Sequence, residues 1–93
     1  MTFDQFCTKH RLTLVATRDS GTWQCWLRDP FNRLVHHIRW SGQRGNRNPL
    51  FGFGETIPEA LADIVNKMRG IELSADPSTP RGFCIAPADL LIA

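Results

Sequence analysis

The sequence predicts an α+β two-layer sandwich in the order α-β-β-β(-β)-α, with both helices on one face of an antiparallel sheet and an extended C-terminal tail. Three observations carry this. Apolar residues recur at helical spacing near the start of the chain and again between residues 57 and 68. Between those stretches the pattern alternates with a period of two, and Asp, Gly, Pro and Asn punctuate it where strands must reverse. Two amphipathic helices need an apolar sheet face to cover them, and strands with one apolar face supply it. The α+β domain is expected over residues 1–73 and the tail over residues 74–93.

The first helix is read in "TFDQFCTKH". Thr2 and Gln5 have capping-box spacing, and Phe3, Phe6 and Cys7 share one face. "RLTLVATRD" sets Leu12, Leu14 and Ala16 against Thr13, Val15 and Thr17, and "DSG" turns the chain. "TWQCWLRD" places Trp23, Cys25 and Leu27 on one face and Gln24, Trp26 and Arg28 on the other. "DPFN" is a type I turn candidate, and "RLVHHIRW" sets Leu34, His36, Ile38 and Trp40 against Val35, His37 and Arg39.

Residues 41–49 lack periodicity and read as a loop, with "LFGF" as a short fourth strand or a return of the third. The second helix has the strongest pattern: Ile57, Ala60, Leu61, Ile64, Val65 and Met68 form one stripe. Thr56 with Glu59 predicts a capping box, and Gly70 suits the C-terminal end. In the tail a Ser/Pro linker leads to Phe83, Ile85, Leu90 and Leu91, expected to dock on the domain or on a second copy, so the chain acts as a monomer or a homodimer.

The chain has 93 residues, 42% of them hydrophobic, and a formal charge of +2. That is one small folded domain, with little room for a deep catalytic cleft and its supporting residues. No apolar run is long enough to cross a membrane, and "MTFDQFCTKH" is not a signal peptide, so a cytoplasmic location without membrane contact is expected. Cys7, Cys25 and Cys84 are odd in number and set among apolar neighbours, as free thiols would be. His36 and His37 are adjacent on a strand and point to opposite faces, so they do not chelate one metal together; His36, on the presumed inner face near Cys25, reads as a hydrogen-bonded core residue. No nucleophile, base and orienting group are spaced for catalysis, and the protein is expected to be no enzyme and to need no cofactor or metal. "GFGETI" departs from a dinucleotide fingerprint at Ile57, and its glycines read as a tight strand-to-helix turn.

Charge distribution says more than net charge. Pro30 through Gly54 holds Arg33, Arg39, Arg44 and Arg47 and no acid, whereas Glu55, Glu59 and Asp63 gather at the second helix. On the solvent face of the sheet Trp26 is expected beside Arg28, His37 and Arg39, with Arg44, Asn46 and Arg47 on the adjoining loop. Arginine beside exposed tryptophan is how single-stranded nucleic acid is gripped and how protein interfaces build their energetic centres. The expected partner-binding residues are therefore Trp26, Arg28, Arg33, His37, Arg39, Trp40, Arg44, Asn46 and Arg47, with Glu59 and Asp63 as phosphate-mimicking acids on a second face.

Helix, three strands and helix, with "GFGET" turning into the last, resembles the double-stranded RNA-binding domain in topology over Thr2 to Leu73. The lysine cluster of that family is replaced here by Glu55, Ile57, Pro58 and Glu59. "GETIPEALADIVNKM" is similar to the "GDT.EEAL" helix of HicB-type antitoxins. "GTWQCWLRD" with "EALADIVNKM" resembles the small proteins of bacteriophages and mobile elements, among them anti-CRISPR inhibitors. That last resemblance implies a non-enzymatic inhibitor in the host cytoplasm. Its partner would be a host protein effector, such as a CRISPR-Cas complex, whose nucleic-acid-binding surface it covers. The alternative is direct binding of nucleic acid through Arg28, Arg39, Arg44 and Arg47; a subunit of a phage or bacterial assembly with the apolar tail at a dimer seam is a third reading.

Overall fold

A computed structural model describes residues 1–93 and shows an α+β globule of two helices and two antiparallel sheets. Helix α1 (Phe3–His10) leads into strands β1 (Thr13–Asp19) and β2 (Thr22–Arg28), and then β3 (His36–Ser41), β4 (Arg44–Pro49) and β5 (Gly52–Gly54). Helix α2 (Ile57–Met68) and the short strands β6 (Glu72–Ser74) and β7 (Cys84–Ile85) complete the chain. One sheet has the order β1-β2-β5 and the other β4-β3-β6-β7.

Local chemistry explains the boundaries. The Thr2 hydroxyl accepts from the Gln5 amide while the Gln5 side chain accepts from the Thr2 amide, so the capping box is complete. At α2 the Thr56 hydroxyl accepts from the Glu59 amide, but the Glu59 carboxylate reaches back to the Glu55 amide rather than to Thr56. The expected second box is therefore shifted by one residue, with the carboxylate serving the amide that precedes the N-cap. Gly70 follows α2 with a φ of +70°, the left-handed position that suits glycine.

Both helices and the inner face of the first sheet close over one core. Phe3, Phe6, Leu27, Ile64, Val65, Met68 and Leu90 are buried in it, each contributing about 1.5–3 kcal/mol of apolar transfer. Leu12, Leu14, Ala16, Trp23 and Cys25 face this core as the alternation requires. Ile57, expected on the α2 stripe, is instead exposed at the first turn. Gly52 and Gly54 have no positive φ; their role is close approach, since a Cβ on Gly54 would lie 2.6 Å from the Ala60 amide nitrogen. The turn into α2 needs glycine because the helix sits on the backbone of β5.

The sequence-based picture needs two corrections. The expected single sheet is two, because after β2 the chain leaves its neighbour: only an isolated bridge, Arg28 with Leu34, links it to the approach of β3. Asp29 fixes that departure. Its backbone carbonyl accepts from the Asn32 amide, closing the "DPFN" turn, while its carboxylate accepts from the Phe31 and Arg33 amides at 3.0 and 2.7 Å. The second correction is that residues 44–49, expected in a loop, form β4 and pair with β3 from Ser41↔Arg44 to His36↔Pro49. A strand without apolar residues forms there because β3 offers it an open edge.

The face of β3 that carries His36, Ile38 and Trp40 does not meet the helices. Residues 74–82 cross it instead. The Trp40 indole donates to Glu72, and the Arg81 guanidinium lies 4.7 Å from the Trp40 ring centroid. Beyond the crossing, β7 pairs with β6, the Ala86 amide donates to the Ile71 carbonyl, and Leu90 enters the core.

Candidate binding surface

Strand alternation and burial decide which of the expected residues come together. On β2, Trp26 and Arg28 point away from the core, and the Arg28 guanidinium lies 5.9 Å from the Trp26 ring centroid. Gly52 of β5 faces inward against Cys25, so Phe51 and Phe53 on either side of it face outward. Trp26 meets Phe51 edge to face at 6.1 Å, and Phe51 meets Phe53 at 6.2 Å. Lys67, from the last turn of α2, places its ammonium 5.0 Å from the Phe53 ring. The result is a strip of three aromatic rings with a cation at each end.

Beside Phe51 and Phe53 a cleft of about 240 Å³ opens toward β3, and His37, Arg39 and Lys67 share its wall. His37 is held below its ordinary pKa by burial first, and then by the charges of Arg39, His36 and Lys67. It is therefore neutral near pH 7, and the cations of this surface are Arg28, Arg39 and Lys67. Lys67 also donates to the Phe51 carbonyl at 3.1 Å and pairs with Asp63 at 2.7 Å, which holds it over Phe53. The Trp26 indole N–H is enclosed with no acceptor, so this ring is kept in place at some cost in desolvation.

The other expected residues are distributed elsewhere. Arg33 is committed to Asp29 at 2.8 Å and lies 3.7 Å from Asp76. Burial alone would raise the Asp29 carboxyl, but the Arg33 amide and guanidinium and the Phe31 amide outweigh it and hold it below the ordinary carboxylate range. Arg47 donates to the Ser74 hydroxyl and the Asp76 carbonyl. Trp40 lies on the Ile38 side of the second sheet, opposite to His37 and Arg39, and is occupied by Glu72 and Arg81. Arg44 and Asn46 are exposed on the β3–β4 hairpin. His36 does not approach Cys25 as expected: its Nδ1 lies 3.0 Å from the Leu34 carbonyl, and the Cys25 thiol donates to the Ala60 carbonyl.

The acidic face is also committed internally. Glu59 accepts from the Glu55 amide, and Asp63 accepts from the Phe53 amide at 2.9 Å as well as pairing with Lys67. A row of free carboxylates able to imitate phosphates is not what these residues form. Sequence reasoning missed Phe51, Phe53 and Lys67. The signal for the two phenylalanines was present in "LFGF", where a glycine that must face a helix sends its neighbours outward. Lys67 had no such signal beyond its i,i+4 spacing from Asp63.

Chemically, the surface offers apolar area, edge and face contacts from three rings, and guanidinium donors at its border. No family model, curated protein or solved structure matches the chain.

Proposed function

We propose that this protein is a non-enzymatic binding protein that docks a protein partner on the Trp26–Phe51–Phe53 strip, with Arg28 and Arg39 engaging carboxylates at the border and Lys67, paired with Asp63, held over Phe53 at the far end. The observation that carries this reading is the run of three packed rings with a cation over each end: Arg28 over Trp26 and Lys67 over Phe53. Single-stranded nucleic acid needs open ring faces on which its bases stack, whereas Trp26 and Phe51 are half-buried and packed edge to face; aromatic and arginine side chains packed together are the usual energetic centre of a protein interface. A phage-encoded inhibitor of a host nucleoprotein complex, the kind its sequence resembles, would use such a surface to cover an acidic or apolar patch of its target. Phosphate mimicry by Glu59 and Asp63 is the weaker route, since both acids are already bonded.

A second reading, direct nucleic-acid binding, is supported by the exposed Arg39 and Arg44 in an acid-free stretch of chain. One experiment separates the two: affinity capture from cell extract, and on purified CRISPR effector complexes, with and without nuclease, using the wild type and a Phe53→Ser/Arg39→Glu variant. The protein reading expects a discrete protein retained by the wild type, indifferent to nuclease and lost from the variant. Capture that needs nucleic acid and falls steeply with salt would overturn it in favour of the second reading.

A further inference from the structure

Four strand edges end the two sheets: β1 and β5 in one, β4 and β7 in the other. Three of them are poor templates for a further strand. β5 and β7 have three and two residues, and β4 carries Arg44, Arg47 and the N–H-less Pro49. β1 differs. It has seven residues, no proline and an unbroken register with β2 from Thr13↔Arg28 to Asp19↔Thr22.

The direction of its free backbone groups follows from the pairing. Ser20 and Gly21 have φ of +50° and +83°, the signature of a two-residue type I′ turn, which closes on the hydrogen-bonded pair Asp19 and Thr22. Counting back in twos, Thr17, Val15 and Thr13 direct their amides and carbonyls to β2, leaving those of Leu14, Ala16 and Arg18 facing outward. The far side of β2 confirms the parity: the Leu27 carbonyl, opposite Leu14, accepts from the Val35 amide on the side away from β1. None of the backbone hydrogen bonds outside the regular strands uses Leu14, Ala16 or Arg18.

We infer that β1 is a docking edge for a second copy of this chain, the two β1 strands pairing antiparallel about a two-fold axis at Val15. In this register Leu14 and Ala16 of each copy exchange amide and carbonyl bonds with Ala16 and Leu14 of the other. Arg18 N–H meets the Leu12 carbonyl, making about six hydrogen bonds in all, since the Leu12 amide is already given to Cys7. Side chains match as well: Val15 lies opposite Val15, Thr13 opposite Thr17, and Arg11 comes within reach of Asp19, all favourable cross-strand pairs. Sliding by two residues in either direction moves the axis to Leu14 or to Ala16 and takes Arg11 away from Asp19, so the register centred on Val15 is the one of the three that pairs these charges.

On the helix side of β1, a groove lined by Cys7, Leu14 and Leu61 opens with Asp4 on its wall, and Arg18 of the second copy is placed beside it. The joined sheets form a six-stranded surface, β5-β2-β1-β1-β2-β5. Because Val15 pairs with Trp26 within each copy, the two aromatic strips then lie on one face with the valine pair between them. The inference is independent of which partner the strip binds.

The test is sedimentation equilibrium of the full chain together with cysteine scanning. The expected mass is twice 10.6 kDa at high concentration. Val15→Lys, which sets two ammonium groups together at the axis, should weaken association roughly tenfold or more. Val15→Cys should oxidise to a covalent dimer, because residues on the axis of a non-hydrogen-bonded pair have Cα atoms about 4.5 Å apart, within disulfide reach. Thr17→Cys should not, since Thr17 faces Thr13. A wild type that stays monomeric, a dimer untouched by Val15→Lys, or crosslinking at Thr17 equal to that at Val15 would each overturn the proposal. The crosslinking pair keeps the test decisive if the lysine variant fails to fold.

Discussion

Replacing Gly52 with alanine tests the packing that holds the aromatic strip in place. The added methyl would lie 2.7 Å from Cβ of Ile64 and 2.8 Å from the Cys25 sulfur, and closer still to the Ala60 carbonyl oxygen. Two of these neighbours are fully buried side chains and the third is helix backbone, so none is a flexible end that can swing aside. Either β5 or α2 must move. Overpacking of this kind costs about 1–3 kcal/mol, and contact with backbone places Gly52→Ala near the top of that range, at about 3 kcal/mol. Against a total stability of about 5–15 kcal/mol, that is a large fraction. Urea unfolding followed by tryptophan fluorescence should show the midpoint falling by more than about 1 M. Gly21→Ala is the comparison: its methyl would meet nothing within 4 Å, and only its φ of +83° is strained, so its cost should be smaller, about 1–2 kcal/mol. A Gly52→Ala midpoint equal to that of the wild type would refute the claim that α2 rests on the backbone of β5.

Two other outcomes follow from the titrating groups. Asp29 has its carboxyl held low in the fold, so its contribution is fully present above the unfolded carboxyl value of about 3.9 and is lost as pH falls through the lower folded value. Asp29→Asn should cost about 1–2 kcal/mol near neutral pH and flatten the acid limb of stability; an unchanged acid limb in pH-dependent urea titrations would contradict this. Burial, followed by the nearby Asp4, pushes the Cys7 thiol up to about 12, and burial raises Cys84 to about 11. Both, half-buried in the fold, should therefore react with a thiol reagent at pH 8 on the order of 100-fold more slowly in the folded chain than in urea, and native labelling at the unfolded rate would show that the packing does not suppress their thiolates.

The helices and the first hairpin were legible because their information is local. Helical stripes, capping residues and the Ser20–Gly21 turn each act within a few positions of chain. β4 was not legible, because "RGNRNP" contains nothing to bury and becomes a strand only through the edge of β3. The division into two sheets was hidden for a similar reason: the apolar face of His36, Ile38 and Trp40 fits a helix layer equally well, and only the crossing by residues 74–82 shows what covers it. At the surface, sequence supplied Trp26, Arg28, His37 and Arg39. It could not separate them from Arg47 and Trp40, whose partners Ser74, Asp76, Glu72 and Arg81 lie 27 or more residues further along the chain. Arg33 is taken by the local Asp29, so both local and long-range pairing decide which arginines remain free for a partner.

The proposed docking surface is tested most directly by photocrosslinking. With p-benzoylphenylalanine at Phe53, which is 47% exposed on the strip, illumination in cells should yield a discrete protein adduct. The same probe at Phe31, more exposed at 78% but lining a separate cavity with His10, Leu12 and Phe83, should yield little. Equal adducts at the two positions, or adducts from Phe53 only to nucleic acid, would contradict the assignment of this strip as the protein-docking surface.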